Sequence, residues 1–367
     1  MASVSVKIEA LGWNSFFSLE FDKLEDSSLL PGRVIAEYRG RYGIATVEGD
    51  FLGEISGKFF HQAKKKSDFP AVGDWVAIKR MPNTDCVIIH NILPRMSQFS
   101  RITKHARKDR DAAGEEQVVA SNINTIFLMQ GLDSNYNPRR IERFLVTIWD
   151  SGAKPVIILN KADMCDDPAK KVAETSDIAP GVPVHAISAL SKDGIDSLLP
   201  YLNRGETVAL IGSSGVGKST LINTLFGKAV QKTAEVRLKD SRGRHTTSQR
   251  QIFILENGAL LLDTPGIRGL ELAETAHGIE DVFDDIEKLA AGCRFSDCRH
   301  LNETECVVQE AVRNGTLAPA RLASYQKLER ETEFIESKND RNLMFKRKAR
   351  EKILSREIKR LFKNRGK

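Results

Sequence analysis

The run Val156-Ile157-Ile158-Leu159-Asn160-Lys161-Ala162-Asp163 reads as a strand that empties into an N-K-x-D tetrad. Four consecutive apolar residues suit a parallel strand buried on both faces. The tetrad behind it has the chemistry of a guanine reader. The Asp163 carboxylate can accept hydrogen bonds from the guanine N1–H and 2-amino group, which adenine does not offer in that arrangement. Asn160 is expected to brace the loop, and the Lys161 stem to lie along the base. Ser188-Ala189, behind a second strand at Val184–Ile187, is expected to bring a backbone N–H to the guanine O6.

Two further motifs follow downstream. Gly212-Ser213-Ser214-Gly215-Val216-Gly217-Lys218-Ser219 fits the phosphate-binding pattern G-x-x-x-x-G-K-[ST], between a strand at Thr207–Ile211 and a helix at Lys218–Phe226. Its glycines let backbone N–H groups wrap phosphates, and the helix N-terminus adds its positive end. Lys218 is expected at the β- and γ-phosphates and Ser219 on magnesium. Asp263-Thr264-Pro265-Gly266 fits D-x-x-G, with Asp263 holding magnesium through water and the Gly266 N–H meeting the γ-phosphate. Between them, Gly243-Arg244-His245-Thr246-Thr247 is a polar stretch without periodicity, suited to a mobile switch that closes a threonine on magnesium.

In an ordinary GTPase the base-reading tetrad comes after the other two motifs. Here it comes first, which implies a circularly permuted α/β P-loop GTPase domain. Domain termini are close together and exposed, so rejoining them leaves the core intact. The strand–helix alternation extends from Asn122 to about Ile279, with further strands at Thr125–Gln130, Ile252–Leu255 and Leu260–Leu262 and a helix over Ile141–Trp149 started by Asn137-Pro138.

N-terminal to it lie five short β-type runs, Arg33–Tyr38, Tyr42–Val47, Phe51–Ile55, Trp75–Lys79 and Val87–Leu93, with a hairpin turn expected at Glu48-Gly49-Asp50. They predict a small barrel of the OB type, with an SH3-like barrel as the alternative. Leu11-Gly12-Trp13 reads as a small anchoring element. Residues 95–120 read as a polar connector carrying Arg95, Arg101, Lys104, Arg107, Lys108 and Arg110. A solvated linker and a nucleic-acid contact both fit it.

Three of the five cysteines fall within residues 293–306, beside His300. Cys293, Cys298, His300 and Cys306 supply four ligands, enough for a closed, structural tetrahedral zinc site, one per chain. An odd cysteine count with this clustering argues against a disulfide framework and for a cytoplasmic setting. Cys86 and Cys165 stand apart. Residues 338–367 hold 13 Lys or Arg against 3 Asp or Glu, a local +10, so the rest of the chain carries −4 of the total +6. A concentrated basic segment suits a polyanionic partner. No apolar run is long enough for a membrane span, and no membrane partner is expected. The division expected is residues 1–98 for an N-terminal extension and OB-fold, 99–279 for the permuted GTPase domain, 280–335 for a helical zinc-binding domain and 336–367 for a basic helical tail.

Together these motifs resemble the RsgA family of circularly permuted ribosome-assembly GTPases, over nearly the whole chain. The resemblance carries Asn160, Lys161 and Asp163 for guanine, Gly212 to Thr220 for phosphates, Gly243 to Thr247 for the first switch and Asp263 to Gly266 for the second. It assigns Thr247 as the threonine that joins Ser219 and Asp263 on magnesium, and it matches the four cysteine and histidine ligands to a C-x4-C-x-H-x5-C zinc pattern. It implies an OB-fold and zinc domain that grip 16S rRNA on the 30S subunit, with GTP hydrolysed to GDP under stimulation by that subunit. The chain is expected to act as a monomer.

Ile267 stands where many GTPases carry the Gln that orients the attacking water. The family resembled shares such an apolar residue, which leaves His245 as the local candidate for that task. Two other readings compete: an RNA-binding scaffold in which GTP acts mainly as a conformational switch, and a P-loop ATPase or kinase.

Overall fold

The computed structural model describes residues 8–38, 40–82, 84–103, 115–133, 136–227, 250–263, 277–301 and 303–339. The described residues fall into two compact units. One holds the barrel and the nucleotide-binding sheet, and the other holds the helices from His277 on.

The five expected barrel strands form as β1 (Leu30–Glu37), β2 (Tyr42–Thr46), β3 (Gly49–Ile55), β4 (Trp75–Arg80) and β5 (Cys86–Ile92). β1 pairs with both β2 and β4, and β3 runs parallel to β5, so the circuit closes as 1-2-3-5-4-1. That closure, with one parallel pair, is the OB arrangement and removes the SH3-like alternative. Val34, Ile44, Val76, Ile78, Val87 and Ile89 fill its interior. The first hairpin turns one residue earlier than the glycine suggested. Thr46 pairs with Gly49, which leaves Val47-Glu48 as the two-residue turn.

The N-terminal element packs as an anchor. Leu11, Phe17, Trp75 and Leu93 are buried together, and the Trp13 and Trp75 rings meet at 4.7 Å. Gly12 has φ +88°, and a Cβ there would lie 2.6 Å from Arg33 Nη1. Only glycine allows that approach. Arg33 is itself fully buried. It donates to Leu11 O, to Asn122 O at 3.1 Å and to Thr207 Oγ1 at 2.7 Å, tying the anchor, the barrel and the first residue of the phosphate-loop strand together.

The segment expected as a polar connector is structured where it is described. β6 (Gln98–Thr103) and β7 (Glu115–Ser121) pair in a two-stranded sheet. Arg95 makes a two-pronged pair with the buried Asp74, Nε–Oδ1 and Nη2–Oδ2 both at 2.8 Å, and donates to Ser67 O and Phe69 O. Arg101 donates to Gln117 Oε1 at 3.0 Å. Arg95 is therefore neither a linker charge nor a nucleic-acid contact; a buried carboxylate claims it. Lys104, Arg107, Lys108 and Arg110 lie outside the described residues.

The α/β part contains β8 (Thr125–Gly131), β9 (Lys154–Asn160), β10 (Val184–Ala186), β11 (Thr207–Gly212), β12 (Gln251–Ile254) and β13 (Leu260–Asp263). In space the order is β10-β9-β8-β11-β13-β12, all parallel except β12. From β8 the chain steps outward to β9 and β10. It then returns to β11, crosses on the other side to β12 and comes back inward to β13 between them. The junction of β8 and β11 is thus a topological switch point, where doubly wound sheets bind ligands at the strand C-termini. β12 also pairs with β1 through Ala36 and Gln251, so the sheet continues into the barrel. Phe127, Met129, Val156, Ile158, Val208 and Leu210 pack under Leu221 and Ile222 of the helix Lys218–Phe226. Truncating Phe127 to Ala would cost about 3–5 kcal/mol.

In the C-terminal unit, helices Asp284–Ala290, Val307–Arg313 and Pro319–Asn339 surround the cysteine cluster. Arg321 grips Asp285 through Nε and Nη2, both at 2.7 Å, and lies over the Phe283 ring at 4.9 Å. The basic tail beyond Asn339 lies outside the described residues. Among the described residues no helix is long and apolar enough to cross a membrane.

Candidate functional site

The phosphate loop begins on β11 and ends in the helix Lys218–Phe226. Gly217 caps that helix with φ +99° and offers no side-chain acceptor, so the first-turn N–H groups are left for an anion. Val216 is fully buried and pins the loop to the core. Lys218 folds back over the loop, with Nζ 2.7 Å from Gly212 O and 2.8 Å from Ser213 O. Ser214 and Gly215 form the exposed tip, and Ser219 and Thr220 sit half-buried in the first helical turn.

Asn160 joins three segments. Its Nδ2 donates to Val216 O at 2.7 Å, its Oδ1 accepts from the Ala189 N–H at 2.9 Å, and its own carbonyl accepts from Leu132 N at 2.8 Å. A Cβ on Gly217 would meet Asn160 Nδ2 at 2.1 Å, so that glycine is needed for the approach. The tetrad loop and the phosphate loop are thereby held together over the end of β8.

Lys161 takes the left-handed conformation, φ +66°, and its Nζ pairs with Asp133 Oδ2 at 2.6 Å. Asp163 stands exposed on the turn Ala162–Met164 that follows. Ser188 and Ala189 are buried, and their N–H groups are both used internally, Ser188 toward Asp193 O and Ala189 toward Asn160 Oδ1. The N–H expected at guanine O6 from this pair is therefore committed to holding the loop. Asp263 closes β13 beside β11 and pairs in register with Gln251. His245, Thr246, Thr247 and Gly266 lie outside the described residues.

Sequence reasoning missed two partners. Asp133 sits just past β8 and pairs with Lys161. Arg140, in the first turn of the helix Pro138–Asp150, places Nη1 3.2 Å from Ser213 Oγ. Neither belongs to a motif; the cue in the sequence is only that both follow the strand beside the phosphate loop.

In the second unit, the ligand atoms of Cys293, Cys298, His300 and Cys306 all lie within 4.8 Å of one another. Cys293 Sγ is 3.9 Å from Cys306 Sγ, and His300 Nδ1 is 3.7 Å and 3.4 Å from those two sulfurs. Tetrahedral zinc with Zn–S near 2.3 Å and Zn–N near 2.0–2.1 Å requires edges of about 3.8 Å and about 3.5 Å. The donor set fits a closed metal centre. His300 is held in place through its backbone carbonyl, which accepts from Gln309 Nε2 and Gln326 Nε2, and Cys306 Sγ accepts the Gln309 N–H at 3.4 Å. Burial, followed by the neighbouring Cys306 and Cys293, pushes the Cys298 thiol up to about 12. A bound cation would favour the thiolate form of these sulfurs.

The profile of the RsgA GTPase family matches residues 92–273. A small ribosomal subunit biogenesis GTPase RsgA from Methanosarcina acetivorans is 43% identical over 359 residues, covering 97% of this chain and 94% of that protein. A protein of the same description from Syntrophotalea carbinolica is 39% identical over 363 residues, covering 98% and 99%. Among solved structures, YjeQ from Thermotoga maritima aligns with a TM-score of 0.60 at 27% identity, over 83% of this chain and 98% of that one. The circularly permuted GTPase YloQ aligns with a TM-score of 0.59 over 83% and 96%; at 21% identity it bears on the fold alone.

Proposed function

The chain belongs to the RsgA family of GTPases and is a GTP hydrolase, and from that premise we propose that it serves as a late assembly factor for the small (30S) ribosomal subunit. The relatives are described as small ribosomal subunit biogenesis GTPases. The observation that carries the reading is Asn160, which joins an N-K-x-D loop to a phosphate loop in a chain of permuted order. Guanine is read by Asn160, Lys161 and Asp163, and the phosphates are cradled by Gly212 to Thr220. Ser219 and Asp263, with Thr247, would hold magnesium, which neutralises phosphate charge when bound. Cys293, Cys298, His300 and Cys306 would hold one structural zinc ion. The domain division proposed is 1–98, 99–279, 280–335 and 336–367, with the barrel, the zinc domain and the basic tail meeting 16S rRNA.

The Lys218 ammonium and the first-turn N–H groups bind and orient the phosphate chain; positioning and charge stabilisation are most of what phosphoryl transfer asks of a protein. Ile267 offers the attacking water no hydrogen bond, so turnover by the free protein is expected to be slow, with the orienting group supplied by His245 or by the subunit. GTP turnover measured with and without purified 30S and 50S subunits tests the assignment. Stimulation by 30S alone is the expected result. Equal turnover in all three conditions would favour an RNA-binding scaffold with GTP as a switch.

A further inference from the structure

Arg140 is the third residue of the helix Pro138–Asp150, and its N–H donates to the capping side chain of Asn137 at 3.2 Å, which fixes its place on the fold. Its guanidinium reaches Ser213, Nη1 to Oγ at 3.2 Å. The Lys218 ammonium lies on the carbonyls of Gly212 and Ser213. Two cations from two different helices therefore converge on one residue of the phosphate loop.

For Arg140 the partner is unequal to the charge. Three buried or nearly buried arginines meet carboxylates, Arg95 with Asp74, Arg250 with Glu37 and Arg321 with Asp285, and the fully buried Arg33 instead spreads its guanidinium over Leu11 O, Asn122 O and Thr207 Oγ1. Among the described residues Arg140 meets a neutral hydroxyl and no carboxylate. A guanidinium has five donors in a fork that fits phosphate oxygens, so one long bond to a serine leaves most of its capacity unspent.

The position of Lys218 says which phosphate is near. In this motif the lysine reaches the β- and γ-phosphates. Here it lies against the first limb of the loop, Gly212-Ser213, so that limb borders the outer end of the phosphate chain. Arg140 lies on the same limb.

We propose that Arg140 reads the third phosphate. Without nucleotide it rests on Ser213 Oγ. With GTP bound it moves to an oxygen of the γ-phosphate, a charged acceptor that outcompetes a hydroxyl. GDP offers no such oxygen, so Arg140 raises affinity for GTP over GDP and registers which nucleotide is present. The proposal rests on reading Gly212–Ser219 as the phosphate loop.

The test is the affinity of the full chain, with magnesium, for a fluorescent non-hydrolysable GTP analogue and for fluorescent GDP. Arg140→Gln is expected to weaken the analogue by about tenfold and leave GDP binding unchanged. Arg140→Lys keeps the charge and recovers part of the loss. Ser213→Ala removes the resting partner and does not lower the preference for the analogue. A brace role predicts otherwise: Arg140→Gln and Ser213→Ala would then weaken both nucleotides in parallel, and that result overturns the proposal. Should Arg140→Gln not fold, the Arg140→Lys preference decides, and a value equal to wild type overturns it. Wild-type protein that binds neither nucleotide would overturn the phosphate-loop reading and the proposal together. Tight GDP binding with an unchanged preference in Arg140→Gln would remove the proposal alone.

Discussion

Arg250 Nη1 lies 2.9 Å from Glu37 Oε2, and the residue after it, Gln251, pairs with Ala36 across β12 and β1. The switch segment assigned from sequence, Gly243 to Thr247, ends three residues before Arg250. The described chain beyond that segment is held to the barrel from Arg250 on by an ion pair and a strand pairing. Arg250 is well buried, and burial draws its pKa below the ordinary arginine value, against the opposing charge of Glu37.

Glu37→Gln removes the charge and leaves Arg250 buried without its partner. Because Glu37 is about one-third exposed, the loss in stability is expected to be about 1–2 kcal/mol, short of that for a fully buried pair. Turnover without subunits is expected to hold while stimulation by 30S falls. A denaturation midpoint and a stimulation factor equal to wild type would show that the pair couples nothing.

Asn160→Ala removes two side-chain bonds that join the tetrad loop, the Ser188-Ala189 loop and the phosphate loop. It leaves the Ala189 N–H and Val216 O unsatisfied in a buried place, at about 1–3 kcal/mol each. GDP and GTP affinity are expected to fall together by at least about tenfold, since the loss is in site geometry and not in the third phosphate. A change in one nucleotide alone, read by fluorescent-nucleotide titration, would contradict this.

The tetrad and phosphate loop were readable because their residue types are forced by phosphate and guanine chemistry, and the helix Lys218–Phe226 forms over the residues expected. The barrel strands were readable from short apolar runs between turns. Long-range polar partners were not. Nothing near Arg95 indicates that Asp74 awaits it, and nothing near Arg33 indicates that it will be buried against Leu11, Asn122 and Thr207. Local composition made Arg95 look like a surface charge; closing the barrel turned it inward. Arg140 was hidden for the same reason, since its role depends on a loop that follows it in sequence but neighbours it in the sheet.

Metal content provides a separate test. The C-terminal centre is expected to bind about one zinc per chain, and ligand binding supplies folding energy in small metal domains. Cys298→Ala is expected to lose the zinc and to lower the melting temperature of the C-terminal unit. Elemental analysis finding equal zinc in wild type and variant would remove Cys298 from the centre.

Tyr42 predicts an alkaline transition. Burial first, then the charges of Glu37 and Asp74, push its phenol up to about 12, against 10 in the unfolded chain. The folded state therefore keeps the proton longer than the unfolded state. Its contribution is fully present below pH 10 and is lost as pH rises from 10 through 12, on the order of 2–3 kcal/mol. Tyr42→Phe has no proton to lose. The stability difference between wild type and Tyr42→Phe is expected to shift in favour of the variant across that window; a difference independent of pH would show that the phenol does not report burial.

Base selection gives the last test. Asp163 stands on the turn Ala162–Met164, and that turn is well fixed: Ala162 N donates to Ile187 O, and Lys161, in its left-handed conformation, is tied to Asp133. The backbone of the turn therefore does not depend on the Asp163 side chain, which is exposed, and Asp163→Asn is expected to melt like wild type. A site built to hydrogen-bond a substrate group rejects the mismatched partner strongly, because its polar groups are left unpaired. With Asn at 163 the acceptor facing the guanine N1–H and 2-amino group is halved, and an amide donor faces them instead. GTP affinity is expected to fall on the order of a hundredfold. Xanthosine triphosphate carries a carbonyl where guanine carries the amine, so the new amide donor finds a partner and that affinity is expected to rise. Competition titrations with the two nucleotides read both changes at once. Unchanged GTP affinity in a folded Asp163→Asn protein would take Asp163 out of the site.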